Sequence, residues 1–192
     1  MNLHNNNEFV IFHPSRHDYN KRNDLLIDSC SEVIKKKYDI KLIMIEWGDF
    51  EKSKKLINKL GIEKNVEWIK PIDFMHMNDF YNASDIICDQ FAIQGCLCLT
   101  TLESMACKKP VLTLYSPQFF NNVYSKLPTL PTIISKNDIT SNIINLLENP
   151  FLRKKFGESG YQWVHEEYSQ KKILSILCES YSQLNNKKLV FS

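Results

Sequence analysis

Two short stretches gather the side chains most able to do chemistry. In HPSRHDYNKRND, residues 13–24, Arg16, Lys21 and Arg22 stand just ahead of a segment with helical periodicity. A guanidinium fork, an ammonium point charge and the free N–H groups of a helix start together suit a diphosphate. The same residues also fit a solvated basic loop. The loop holds no glycine, which excludes a P-loop and a G-x-G-x-x-G turn. In DQFAIQGCLCLTTLE, residues 89–103, Gly95 permits close backbone approach and Thr100 and Thr101 offer hydroxyls to a helix cap or a phosphate. Glu103 falls about one turn into the following helix. A carboxylate there can accept two adjacent hydroxyls, as on a ribose, or can merely favour the helix dipole by about 0.3–1 kcal/mol.

Other chemically capable residues point less clearly. The segment YSPQFFNNVYSKLPTL (115–130) is rich in aromatic and amide side chains and serves equally as a ligand-facing loop or a cover for the core. Cys96 and Cys98 are closely spaced, but no second Cys/His pair stands near them, so an incidental role outweighs a metal site. His13 and His17 flank the basic loop, where histidines are more often solvated than buried.

These residues must be positioned by an alternating chain. Apolar runs at 8–12, 39–49, 65–71, 85–91, 110–115 and 131–135 read as six strands. Between and after them lie helical patterns from Asn23 or Asp24 as cap, and at 50–62, 77–84, 99–107, 137–149 (capped by Asn137 or Asp138), 151–168 and 169–184. In the first, Leu26, Cys30, Val33 and Ile34 share one face; Gly61 ends the second as a C-cap. Strands separated by crossover helices require a mainly parallel sheet covered on both faces. The expected fold is therefore α/β: a doubly wound, six-stranded Rossmann-like sheet with a C-terminal helical tail. Ligands of such sheets sit beyond the strand carboxyl ends, which is where both stretches fall.

The bulk composition is that of a soluble globular domain: 192 residues, 43% hydrophobic and 24% charged. A net charge of +2 gives no case for nucleic acid as a partner. The amino terminus lacks a secretory pattern, and six scattered cysteines in mostly apolar contexts suit reduced, buried thiols. The expected location is cytoplasmic.

Taken in order, the motifs resemble the C-terminal nucleotide-sugar-binding domain of the glycosyl transferases group 1 family, retaining enzymes of GT-B architecture. The family opens with a strand, Gly-Arg, then Lys-Gly five residues on. Arg16 and Lys21 keep that spacing, while Ser15 and Arg22 replace the glycines. LESMACKKPVL is similar to the family's L-E-A-M-A-C-G-K-P-V, and the intervening strand, turn and V-x-F-like segment match in sequence order. Where the family carries its first glutamate, eight residues before Glu103, this sequence has Gly95, together with an Asp89-Gln90-Phe91 run.

The resemblance implies a domain over 8–185, a disordered or tag-like stretch at 1–7 and a tail at 186–192. It implies that Arg16 and Lys21 stabilise the departing diphosphate and that Glu103 binds the ribose. Ser15, Asp89, Gly95, Cys96, Leu97, Cys98, Leu99 and Thr100 would surround the donor, and Ile69, Lys70, Pro71 and Ile72 the base. No cofactor and no metal are implied; the nucleotide-sugar is a substrate. With the first strand at residue 8, an acceptor-binding N-terminal domain is expected to be absent, and with it any peripheral membrane association. The resulting expectation is the donor half of a hexosyltransferase in cell-surface polysaccharide synthesis, inactive alone. The alternative is a non-catalytic nucleotide-sugar-binding or interaction domain.

Overall fold

A computed structural model describes residues 8–91, 97–120, 124, 126–133 and 135–188. Five parallel strands form one sheet: β1 (Phe9–His13), β2 (Ile40–Ile45), β3 (Val66–Ile69), β4 (Ile86–Cys88) and β5 (Val111–Leu112), in the order β3-β2-β1-β4-β5. The order reverses between β2 and β4 around the central β1, whose residues Val10, Ile11 and Phe12 are wholly buried. Such continuous apolar strands belong to a sheet covered on both faces. Phe9 of β1 pairs with Ile40, and the register runs through His13 opposite Met44.

One face is covered by α1 (Asn23–Lys35), α2 (Phe50–Leu60) and α5 (Lys136–Glu148), whose Leu26, Ile27, Cys30, Val33, Ile57, Ile139 and Ile143 pack on Ile11, Leu42 and Met44. On the other face α3 (Met77–Ala83) sets Tyr81 against Val10, Phe12 and Ile87. There α4 (Leu99–Ala106) and α6 (Pro150–Glu167) join Met105, Val111 and Trp163. Two glycines of α6 make this close: a Cβ at Gly157 would lie 2.0 Å from the Lys108 carbonyl oxygen, and one at Gly160 2.8 Å from Met105 Cγ. Phe120 stacks on Tyr124, which meets Trp163 edge-on, so this part of the 115–130 segment covers the core.

Several expectations are corrected. The run at 131–135 is not a sixth strand among its described residues: Pro131 has no N–H to offer a ladder, and the Thr132 carbonyl accepts the Asn142 side chain at 2.9 Å. Ser135 instead caps α5, its hydroxyl and the Asp138 carboxylate closing a capping box, so Asp138 is the partner of the cap and not the cap. The cap of α1 is neither Asn23 nor Asp24 but Arg22, in left-handed conformation (φ 49°). The last helix, α7 (Gln170–Lys188), leaves Ile173, Leu174, Leu177 and Tyr181 exposed, and Cys178 on it is exposed too, against the expectation of buried thiols. Among the described residues, no helix is long and apolar enough to cross a membrane.

Candidate functional site

The carboxyl edge of the sheet brings the two stretches together. Asp89, the residue after β4, is completely buried. One carboxylate oxygen accepts the Ser15 hydroxyl at 2.8 Å, and the other accepts the Thr101 hydroxyl at 2.7 Å. Lys21 Nζ lies 3.6 Å from the oxygen that Ser15 uses, and also donates to Cys98 Sγ at 3.4 Å. The Lys21 carbonyl accepts the Phe91 N–H at 3.1 Å. The loop after β1, the end of β4 and the start of α4 thus meet on one buried carboxylate. Thr101 serves neither as cap nor as a free hydroxyl. Cys98 is the N-cap residue of α4, and its side chain makes no capping hydrogen bond, so the first-turn N–H groups keep their anion-binding character.

Beneath the loop runs a second polar layer. His13 is fully buried; its Nδ1 donates to the Cys88 carbonyl at 2.8 Å, and its Nε2 accepts from the Asn23 amide at 2.7 Å. Burial is the main force lowering its pKa to about 4, so the ring is neutral near pH 7. His17 is also buried, bonded through Nδ1 to Ser53 Oγ at 2.7 Å, with its pKa lowered to about 3, again chiefly by burial. Both histidines are therefore structural and not solvated. The reason is the turn after β2: His17 N–H donates to Trp47 O at 2.9 Å and Asp49 N–H to His17 O at 2.8 Å, which clamps the loop on the sheet edge. Gly48, at φ +76°, makes the clamp feasible, since a Cβ there would lie 2.4 Å from His17 O.

The predicted site residues divide. Lys21, Ser15, Asp89, Cys98 and Thr100 fall on or beside the cluster: the Thr100 hydroxyl bonds the Tyr81 phenol, which donates to Glu103 at 2.7 Å. Burial first, and the Glu103 hydrogen bond second, push the Tyr81 pKa far up, so the phenol stays a donor. Arg16 is exposed, held by Asp18 through Nε (2.9 Å) and Nη2 (2.7 Å) and lying over the Trp47 ring; its described contacts are not with Lys21 or Asp89. Leu97 is half-buried and Leu99 is 73% exposed at the start of α4. Gly95 and Cys96 lie outside the described residues.

The residues expected at a base lie at the end of β3 and just after it. Lys70 pairs with Glu46, Pro71 is exposed, and Ile69 and Ile72 pack on the second core cluster. Beside Glu103 lies a cleft of about 310 Å³ lined by Phe74, Met75, Met77, Asn78, Tyr81 and Cys107. Phe74 and Met75 are three-quarters exposed, an unusual expense for such side chains. Their signal in sequence was the apolar content of DFMHMN, which leads into α3. A second, larger hollow of about 810 Å³ opens at the same edge between Tyr19, Arg22, Phe91, Tyr115 and Lys136. Among the described residues no cluster of His, Cys, Asp or Glu has metal-binding geometry.

A family model described as glycosyl transferases group 1 matches residues 1–163. The chain belongs to this family. It is 29% identical over 178 residues to a poly(ribitol-phosphate) alpha-N-acetylglucosaminyltransferase of Staphylococcus aureus, covering 89% of this chain and 35% of the relative. It thus spans about a third of that protein's length. Among solved structures, S. aureus TarM, crystallised with fondaparinux, alpha-GlcNAc-glycerol and UDP, superposes with a TM-score of 0.73 at 26% identity, over 90% of this chain and 35% of TarM. The fold is also that of Anabaena HepE in complex with UDP and glucose (TM-score 0.74, 17% identity, 92% of this chain and 49% of HepE). A C-terminal domain of a group 1 family protein from Francisella tularensis matches at a TM-score of 0.68 and 21% identity, with 84% and 87% covered.

Family membership gives meaning to the two lost glycines. Arg22 stands where the family pattern has its second glycine and takes the left-handed backbone that glycine favours, its guanidinium held by Asp24 at 2.9 Å. Ser15 stands at the first, and its hydroxyl is one of the Asp89 donors.

Proposed function

We propose that this chain is the nucleotide-sugar-binding half of a retaining glycosyltransferase, acting in the synthesis of a cell-surface glycan. The single observation that carries this reading is the cluster at the carboxyl edge. A buried Asp89 gathers Ser15, Lys21 and Thr101 beside the uncapped start of α4, with Glu103 one turn further on at the mouth of an apolar cleft. A nucleoside diphosphate has the matching sequence of groups: two phosphates, a ribose diol and a flat base.

In this reading the phosphates lie against the first turn of α4, where N–H groups and the Lys21 ammonium face them. As the glycosidic bond breaks, charge grows on the leaving phosphate, and positive groups already in place stabilise it without reorganising. Lys21 is the main such group. Arg16 adds a second positive charge once it exchanges Asp18 for the ligand. Glu103 keeps the Tyr81 phenol on one oxygen, which orients the carboxylate, and accepts the ribose hydroxyls on the other. Phe74 and Met75 cover the base. No metal is called for, and the acceptor is held by a second domain supplied from outside residues 8–185. The chain alone binds donor and does not transfer sugar; its location is cytoplasmic.

UDP is the natural first probe, because both TarM and HepE were crystallised with it. Isothermal titration with UDP, GDP and ADP tests the reading: one should bind, and Glu103→Ala and Lys21→Met should weaken it. A second reading, a non-catalytic nucleotide-sugar binder, is favoured by Gly95 standing at the family's first glutamate. It predicts binding without transfer even when an acceptor domain is added.

A further inference from the structure

We infer that Asp89 is a positioning residue: it holds the Lys21 ammonium and braces the β1 loop against α4, so that the anion cradle exists before any ligand arrives. The inference rests on the donor-site reading above for what the cradle receives, but its geometry stands independently.

A fully buried carboxylate is costly unless every oxygen is matched. At Asp89 both are matched, by partners from two sides: Ser15 at 2.8 Å and Lys21 at 3.6 Å from the connection between β1 and α1, and Thr101 at 2.7 Å from α4. Ser15 is 4% exposed and Thr101 fully buried, so neither hydroxyl has water as an alternative. Lys21 carries the only positive charge among these partners. Its side chain is 20% exposed, against 82% for Lys52 and 87% for Lys70, so it is largely enclosed, with its ammonium held between Asp89 and Cys98.

A lysine head left to itself samples many rotamers, and a ligand that needs it must order it on binding. Asp89 removes that requirement, because the ammonium is already beside Cys98 and the first turn of α4. The carboxylate also opposes an incoming anion by direct repulsion. Its two hydroxyl donors spread the negative charge away from the ligand side, and pre-ordering of Lys21 dominates.

Two measurements decide the matter. In the first, the folded chain is acetylated with an N-hydroxysuccinimide ester and lysines are read by mass spectrometry, with Lys52 as the internal reference. Lys21 should react at least about fivefold more slowly than Lys52, and Asp89→Asn should raise the Lys21 rate about fivefold while leaving Lys52 unchanged. Thr101→Val, an isosteric change that keeps the carboxylate charge, should raise it about twofold and serves if Asp89→Asn does not fold. An unchanged Lys21 rate in a folded variant overturns the hold on Lys21. In the second, UDP is titrated into wild type, Asp89→Asn, Lys21→Met and the double variant. Asp89→Asn should weaken binding about tenfold when Lys21 is present and less than about twofold when it is Met. Equal losses in both backgrounds indicate a purely structural carboxylate and overturn the proposal, as does tighter binding in Asp89→Asn. If wild type binds no nucleoside diphosphate, the donor reading fails, while the acetylation result still reports separately on Asp89 and Lys21.

Discussion

The loop after β1 and the loop after β3 lie on the same carboxyl edge, yet they are held by opposite means. The first is anchored by buried polar groups: His13 to Cys88 and Asn23, His17 to Ser53, Ser15 to Asp89. The second exposes Phe74 and Met75, while Lys70 pairs with Glu46, Ile72 packs on the second core cluster and the Asp73 carboxylate accepts the Met75 N–H at 2.9 Å. A charged ligand group must find its partners in place, because reorganising ions is costly. A base needs only an apolar face, which exposed side chains such as Phe74 and Met75 can supply. The edge thus presents fixed polar groups at the first loop and an exposed apolar surface at the second.

That contrast can be broken most severely by acid. His13 and His17 fold as neutral rings, with pKa values of about 4 and about 3 against 6.5 when free. A depressed folded pKa contributes stability fully present above pH 6.5 and lost as pH falls through the folded pKa, since the unfolded chain takes up the protons first. For His13, protonation would set a proton on Nε2 against the Asn23 amide. The expected loss is on the order of 3 kcal/mol between pH 6.5 and 4. Urea unfolding across that range should show it, with a shallower fall in His13→Gln; parallel curves would absolve His13.

Next in size is the loss of the ammonium. Lys21→Met should weaken nucleoside diphosphate binding by about 1.5–3 kcal/mol, or roughly 10- to 100-fold. Arg16→Ala should cost less, since Arg16 begins half-exposed and committed to Asp18. Gly48→Ala should destabilise the fold by at least about 1–2 kcal/mol, because its φ of +76° favours glycine and its Cβ would lie 2.4 Å from His17 O. A melting curve reads this directly. Smallest is Met75→Ala, which should change stability by less than about 0.5 kcal/mol, as expected for an exposed side chain. Its mark should be a modest loss of base discrimination, measured as the ratio of UDP to ADP affinity.

Much of this plan was legible in the residues themselves. The apolar face Leu26, Cys30, Val33 of α1 and the Gly61 cap follow from periodicity and backbone preference, which are local. Glu103 was legible as a carboxylate about one turn into a helix. Tertiary pairing was not. Nothing local says that Asp89 meets Ser15, 74 residues away, or that His13 finds Asn23 and so stays buried. The false sixth strand has the composition of a strand, but its carbonyl and its serine are consumed by α5. That Ile69 and Ile72 pack against the second core cluster while Phe74 and Met75 line a cleft beside Glu103 is likewise a fact that only packing reveals.

The most direct test of the donor site is isothermal titration of the folded wild-type chain with UDP, GDP, ADP and free uridine. Binding of one diphosphate, weakened in Glu103→Ala and far weaker for uridine than for UDP, is the predicted result. A folded sample that binds none of the three diphosphates, or that binds UDP equally well without Glu103, would contradict it.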